Sequence, residues 1–305
     1  MIRLIAWRLA QAMAVVWVVA TLAFFAIRAT PGGPFDSERQ LSPEVRRNIE
    51  RRYRLDLPLW QQYTAEMGRL ARGDLGHSMR RPFTVAQIIA EGFPRSLILG
   101  LVALALAVVA GVGVGVLAAA RHGTWIDRAA MAAALVGLSI PAFVLGPMLI
   151  SFLSLRLGLF PAARWEGPAS VVLPAATLAL VYVGAIARLT RGEMVDALQQ
   201  EWVRTARAKG LSQGAVLLRH ALRVAIVPVV TYLGPLAASL ITGSIVVESI
   251  FEIPGLGYSF VASAQDKDPP VLLGVTVFYF AMVMLLNLLV DVVGLWLDPR
   301  TRPAS

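Results

Sequence analysis

Long apolar runs alternate along the chain with short, arginine-bearing connections, and the runs have the length that crosses a bilayer. The first, about 9–27, follows Arg3 and Arg8 and supplies the ~20 apolar residues that span ~30 Å of hydrocarbon. Further runs at about 96–119, 130–153, 171–187, 226–247 and 272–297 predict five more spans, hence an all-α membrane protein built as a bundle of six helices. The apolar core of the first run exceeds the ~7–15 residues of a signal peptide and no small-x-small cleavage site follows it, so it reads as a retained span. The inside-facing connections are short and basic, which places both termini on the cytoplasmic side.

Between the first two spans, 30–95 is polar but patterned. Ser42-Pro43 gives an N-cap and a first-turn proline for a short helix with Val45, Ile49 and Tyr53 at four-residue spacing. Pro58 starts another, carrying Leu59, Tyr63, Met67 and Leu70 on one side, with Gly73 as its stop. The chain thus divides into 1–29 with the first span, an extracytoplasmic loop at 30–95 with short helices, and a core of five spans at 96–305. The two loop helices either cover the outer mouth of the bundle or pad its surface.

Small residues mark where helices approach. In the second span Ala103, Ala107, Gly111, Gly115 and Ala119 recur every fourth residue, a groove into which another helix can pack. In the fifth, Gly234, Ala238 and Thr242 line one face, and Pro235 loosens the early turns. One stripe is expected to meet a second subunit and the other to pack internally. Pro141 and Gly146-Pro147 interrupt the third span and Pro174 the fourth, serving either as packing features or as gate hinges. Asn287 and Asp291 fall one turn apart on the last span, where a pairing role is expected for the carboxylate.

Composition narrows the class. Of 305 residues 57% are apolar and 15% charged, far from a soluble domain, and the absence of cysteine removes disulfide and thiolate chemistry. The net charge of +9 lies at span ends and in the first loop without interleaved aromatics, so it reports topology and not a nucleic-acid partner. No P-loop Gly-x-x-x-x-Gly-Lys-Ser/Thr occurs. His77, His122 and His220 are scattered and no serine sits in a Gly-x-Ser-x-Gly elbow, so an enzyme is disfavoured and neither a catalytic nor a metal site is expected.

One polar island remains, 201–228, reading EWVRTARAKGLSQGAVLLRHALRVAIVP between two spans, within a cytoplasmic loop at about 189–225. Residues 201–209 favour helix, with Ala206 and Ala208 giving a slim surface and Arg204 and Arg207 one turn apart. Gly210 is able to take the left-handed conformation that ends a helix, and Ser212 caps the next one. A solvated positive-inside loop and a lever pressed from outside the bilayer both fit these residues.

The island resembles the cytoplasmic signature loop of the membrane subunits of binding-protein-dependent ABC importers, Glu-Ala-Ala, Gly, then Ile-x-Leu-Pro. Arg204-Thr205-Ala206-Arg207-Ala208-Lys209-Gly210 occupies the first half and His220-Ala221-Leu222-Arg223 the second. Arg204 and Thr205 stand in place of Glu and Ala, and Arg223 in place of Pro, the form typical of the family's peptide and nickel branch. Outside the loop, 28–35, Leu55-Asp56-Leu57-Pro58, Gly73-Asp74-Leu75-Gly76, 251–257 and Asp268-Pro269-Pro270-Val271 are similar to the oligopeptide permease B-type subunit, as is Asp298-Pro299-Arg300.

The resemblance implies a type I importer permease in the bacterial inner membrane, moving oligopeptides, dipeptides or related small substrates by alternating access. Its implied partners are a homologous second permease, two ATP-binding subunits that hold ATP and Mg, an extracytoplasmic peptide-binding protein, and membrane lipid. Glu201, Arg204, Thr205, Ala206, Arg207, Ala208, Lys209, Gly210 and His220 would form the ATPase-coupling loop, and Gly111, Gly115, Pro141, Gly234, Pro235 and Ala238 the helix-packing or gate positions. The competing class is a self-sufficient secondary transporter or channel, which normally shows mid-span charges or broken helices in inverted halves.

Overall fold

The structure, a computed structural model, describes residues 2–30, 51, 56–241 and 245–297, with the side chains of 2–5, 238, 241 and 290–297 outside that description. The short helix expected around Val45, Ile49 and Tyr53 lies outside the described residues, as do Thr242 and Gly243. Every named element among the described residues is helical; the one β-bridge joins His77 to Thr84. Among the described residues five helices are long and apolar enough to cross a membrane, or six if one bent pair of helices counts as a single span.

The chain divides into two compact units. The first, Met1–Arg95 with Pro254–Leu288, contains α1 (Ile2–Ala29), α2 (Leu59–Leu70), the first turns of α3 (Val85–Ala120), α10 (Leu256–Gln265) and most of α11 (Pro269–Leu297). Pro58, extended at ψ 143°, begins α2, and its carbonyl accepts from the Gln61 and Gln62 amides. The four-residue spacing of Tyr63, Met67 and Leu70 sets them against Ala20 and Phe24 of α1 and Val277 of α11. Gly73 at φ 76° and Gly76 at φ 81° turn the chain out of α2. A second core joins Val85, Ile88 and Ile89 of α3 to Leu256 and to Val271 and Val275. Asp268, 3% exposed, fastens the 77–84 segment there, accepting from Ser78 Oγ at 2.5 Å and from the Met79 amide at 3.1 Å.

Within 248–270, α10 occupies ten residues. One sequence expectation is corrected in the fourth span. The fourth span, expected to end near residue 187, continues past Arg188 and Arg191 to Leu198.

The second unit, Ser96–Ile253 with Leu289–Ser305, holds the rest of α3, α4 (Trp125–Ser139), α5 (Ala142–Leu149, continued by a π segment Ile150–Arg156), α6 (Val172–Leu198), α7 (Glu201–Ala208), α8 and α9 (Ile245–Ile250). Here α8 denotes Gln213–Ala215, a π segment Val216–Ala221 and Leu222–Ile241 run together. More than half of the most apolar stretch of α6 is buried, against about a tenth of that of α1. Leu178 and Ile186 of α6 share a core with Leu99, Ala103 and Ala107 of α3, Val229 and Leu240 of α8, and Phe251.

The third apolar run folds as a bent pair of helices. Its halves, α4 and α5, meet at 103° across Ile140 and Pro141. Ile140 is extended (φ −89°, ψ 118°), as a residue preceding proline prefers, and Pro141 has no amide to continue the helical ladder. The Pro141 carbonyl restarts α5, accepting from Val144 and Leu145 at 2.9 and 3.0 Å.

Candidate coupling site

Helix α7 follows α6 after only Gln199 and Gln200, and Gln200 at ψ 148° breaks the helical path between them. Val203 and Ala206 are buried against Val216 of α8 and Leu198 of α6. Glu201, Trp202, Arg204, Thr205, Arg207, Ala208 and Lys209 are exposed. This corrects the idea that Ala206 and Ala208 form one slim outer surface: Ala206 fits the helix to its own chain, and Ala208 alone faces outward. Arg204 pairs with Glu201 at 2.9 Å, but both are more than 70% exposed, where such pairs contribute ~0–1 kcal/mol.

The corner after α7 is a Schellman motif. Gly210 sits at φ 77°, its amide donates to the Arg207 carbonyl at 2.9 Å, and the Leu211 amide donates to the Ala206 carbonyl at 3.3 Å. Glycine takes this backbone without the penalty a Cβ brings. Ser212 Oγ then accepts from the Ala215 amide at 3.3 Å and starts α8. His220, half-buried, lies in the π segment that follows, so the second half of the signature is wound more loosely than an α-helix.

Beside α7 the end of α6 is clamped to the 121–128 turn. Asp127, 3% exposed at its side chain, accepts from Arg191 Nε at 2.5 Å and from a second Arg191 nitrogen at 2.8 Å. The Gly123 amide donates to the same carboxylate at 2.9 Å, and His122 Nδ1 lies 3.1 Å from Arg191. This two-pronged guanidinium–carboxylate contact fixes direction as well as distance. A cavity of ≈ 230 Å³ between the clamp and α7 is lined by His122, Leu198, Arg207 and Val216, among others. Sequence reasoning missed the clamp because nothing near Arg191 in the chain marks its partner; the signal was a lone acid in a short basic loop.

The packing positions divide. A Cβ at Gly111 would lie 2.7 Å from Ile186 Cβ, and one at Gly115 2.6 Å from the Ala187 carbonyl and Thr190 Cβ, so the second-span stripe packs inside the unit against α6. Pro141 stands at the break between α4 and α5. Gly234 is half-buried and Pro235 exposed within α8, while the side chains of Ala238 and Asp291 are outside the described residues.

Comparison with known proteins agrees with this geometry. The family model described as "Binding-protein-dependent transport system inner membrane component" matches residues 111–303. The dipeptide transport system permease protein DppB of Bacillus subtilis (strain 168) is 44% identical over 290 residues, covering 95% of this chain and 94% of the relative. The oligopeptide transport system permease protein OppB of Haemophilus influenzae is 41% identical over 305 residues, and that of Escherichia coli K12 40%, each covering 99% of this chain and 100% of the relative. Among solved structures, an amino acid ABC transporter with histidines aligns at TM-score 0.52 and 17% identity, over 68% of this chain and 93% of its own. The MetNI methionine ABC transporter, in inward-facing conformations, aligns at TM-score 0.52 and 18% identity, over 70% and 97%. At such identities the structures speak for the fold, and the sequence matches over nearly the full length carry the conclusion: this chain belongs to the family of binding-protein-dependent transport system inner membrane components.

Proposed function

We propose that this chain is a permease subunit of an ATP-driven importer that carries oligopeptides or dipeptides across the bacterial inner membrane by alternating access. Family membership and the peptide permeases among its relatives support the transport class and the cargo. The observation that carries the mechanism is α7 itself: an exposed helix on a buried footing of Val203 and Ala206, joined to the span α8 by the fixed corner at Gly210. An exposed helix tied to a span in this way is suited to receive force from a protein outside the bilayer.

In this reading the chain hydrolyses nothing. Two separate subunits bind ATP and Mg and seat α7, a homologous second permease completes the pathway, and an extracytoplasmic binding protein delivers the peptide and selects it. Both termini lie on the cytoplasmic side. Arg204, Arg207 and Lys209, all exposed, meet acidic groups on the ATPase rim, so charge tunes docking while the shape of the helix decides it.

The test is peptide uptake measured beside ATP hydrolysis in proteoliposomes holding the whole complex. A Cβ at Gly210 meets nothing within 4 Å, so Gly210→Val acts through its φ of 77° alone, at a strain of ~1–3 kcal/mol. Uptake per ATP is expected to fall more in Gly210→Val than in Arg207→Ala. Uptake and receptor-stimulated hydrolysis unchanged in Gly210→Val would falsify the lever, and peptide movement by this chain without the ATPases would place it among secondary transporters.

A further inference from the structure

A cavity of ≈ 1030 Å³ lies in the first unit among the end of α1, α2, the 73–84 segment and the start of α11. Its charge is one-sided. Arg28, Arg69, Arg72, Arg80 and Arg81 line it, against two carboxylates, Glu66 and Asp74. Both acids are engaged locally, Glu66 by Arg69 and Asp74 by the Gly76 amide at 2.9 Å. Arg72 is exposed and forms no ion pair among the described residues, and Arg81 lies 3.9 Å from Asp266. Gly76 leaves room for Arg69, because a Cβ there would stand 3.2 Å from a guanidinium nitrogen.

The floor of the cavity is apolar, with Phe24 and Ile27 from α1 and Leu273 from α11. Both helices are candidate spans, Ala6–Ala29 and Pro269–Leu289, and the cavity sits where the first ends and the second begins. Where these two spans cross a bilayer, their shared end puts the guanidinium groups level with the lipid headgroups and the apolar floor, which lies within the spans, level with the upper acyl chains. A soluble anion has no use for that floor, whereas a phospholipid presents a phosphate and a chain in that order.

We infer that this cavity is a binding site for the headgroup of an anionic phospholipid, with the arginines on the phosphate and Phe24, Ile27 and Leu273 against the first acyl carbons. The site is independent of cargo and of the ATPases. It ties the first span, the loop helix α2 and the last span together through a lipid, and it makes the unit sensitive to membrane composition.

The test uses the full chain in its purified importer complex, delipidated in mild detergent and titrated with short-chain phosphatidylglycerol, phosphatidylcholine of equal chain length, inorganic phosphate, or tetraglutamate, with bound mass read by native mass spectrometry. Phosphatidylglycerol is expected to bind, more weakly at high salt, and phosphate alone to compete poorly. Each arginine removed near a membrane surface lowers affinity about fivefold, so Arg72→Gln with Arg81→Gln loses about 25-fold. Arg72→Lys, which keeps the charge, retains most of the binding and shows that loss in Arg72→Gln is not misfolding. Equal binding of phosphatidylcholine overturns the inference, as does undiminished phosphatidylglycerol binding by the double variant. Tetraglutamate binding to a site that ignores phosphatidylglycerol also overturns it and makes an acidic protein segment the occupant.

Discussion

Two glycines two residues apart on α3 should respond in opposite directions to the same substitution. At Gly113, exposed on the helix, an added Cβ meets nothing within 4 Å. Gly113→Ala therefore gains the helix propensity of alanine, ~0.8–1 kcal/mol. At Gly115 the same carbon would lie 2.6 Å from the Ala187 carbonyl oxygen and from Thr190 Cβ, and 3.0 Å from Thr190 Cγ2. A backbone oxygen in the middle of α6 cannot rotate away, so α3 and α6 must part by most of an ångström. A gap of that size forfeits a quarter to a half of each dispersion contact along the seam, and overpacking of this kind costs ~1–3 kcal/mol. Both variants gain the same propensity, so they should differ by the overpacking cost alone, ~1–3 kcal/mol. Thermal unfolding of the detergent-solubilised chain, at roughly 2–4 °C per kcal/mol, would place Gly113→Ala above the parent and Gly115→Ala several degrees below Gly113→Ala. A Gly115→Ala protein that melts at or above Gly113→Ala refutes close α3–α6 packing.

Replacing Arg191 by Met leaves the Asp127 carboxylate, 3% exposed, without its partner, and stability should drop by ~3 kcal/mol, while Asp127→Leu combined with Arg191→Met recovers most of it; simple additivity in a double-mutant cycle would show that the clamp is not a coupled pair. Asp268→Ala should release the 77–84 segment by removing the acceptor for Ser78 and Met79, seen as faster proteolysis or amide exchange there. Unchanged protection across 77–84 would mean that the Val85 core alone holds it.

Local chemistry was legible in the sequence because it is written within a few residues. Pro58 starting α2, Gly73 ending it, Ser212 capping α8 and Gly210 turning left-handed all follow from neighbours at most four positions away. The four-residue repeat of Ala103, Ala107, Gly111 and Gly115 announced a close helix, but not which one, since Ile186 and Thr190 are more than seventy positions on. Pro141 announced a break without its angle, because 103° depends on what α4 and α5 each pack against. The two charged anchors were invisible for the same reason: Asp127 and Arg191 stand 64 residues apart, and Ser78 and Asp268 stand 190 apart. Nor does any residue type mark the π segment Val216–Ala221, whose first residue, Val216, is seated under α7.

That seating bears on where movement is taken up in the proposed lever. Gly210 has the freedom of a glycine, but its corner is closed by two backbone hydrogen bonds, and Val203 and Ala206 hold α7 down on Val216. The corner is therefore a rigid elbow and not a pivot. The other end of α7 joins α6 within two residues, and α6 is held to the 121–128 turn by Asp127 and Arg191. A push on α7 consequently reaches the last turn of α6 and the first turn of α8 together. Compliance has to lie farther along. The π segment departs from the i→i−4 ladder of the α-helix around it, and Pro228 and Pro235 each remove an amide from the ladder of α8. In the proposed lever, bending at Val216–Ala221 and at these two prolines would turn a displacement at the α7 end into a change of direction along the span, while the elbow at Gly210 keeps its shape. Gly210→Val is then disruptive because it redirects α7, and not because it stiffens a joint.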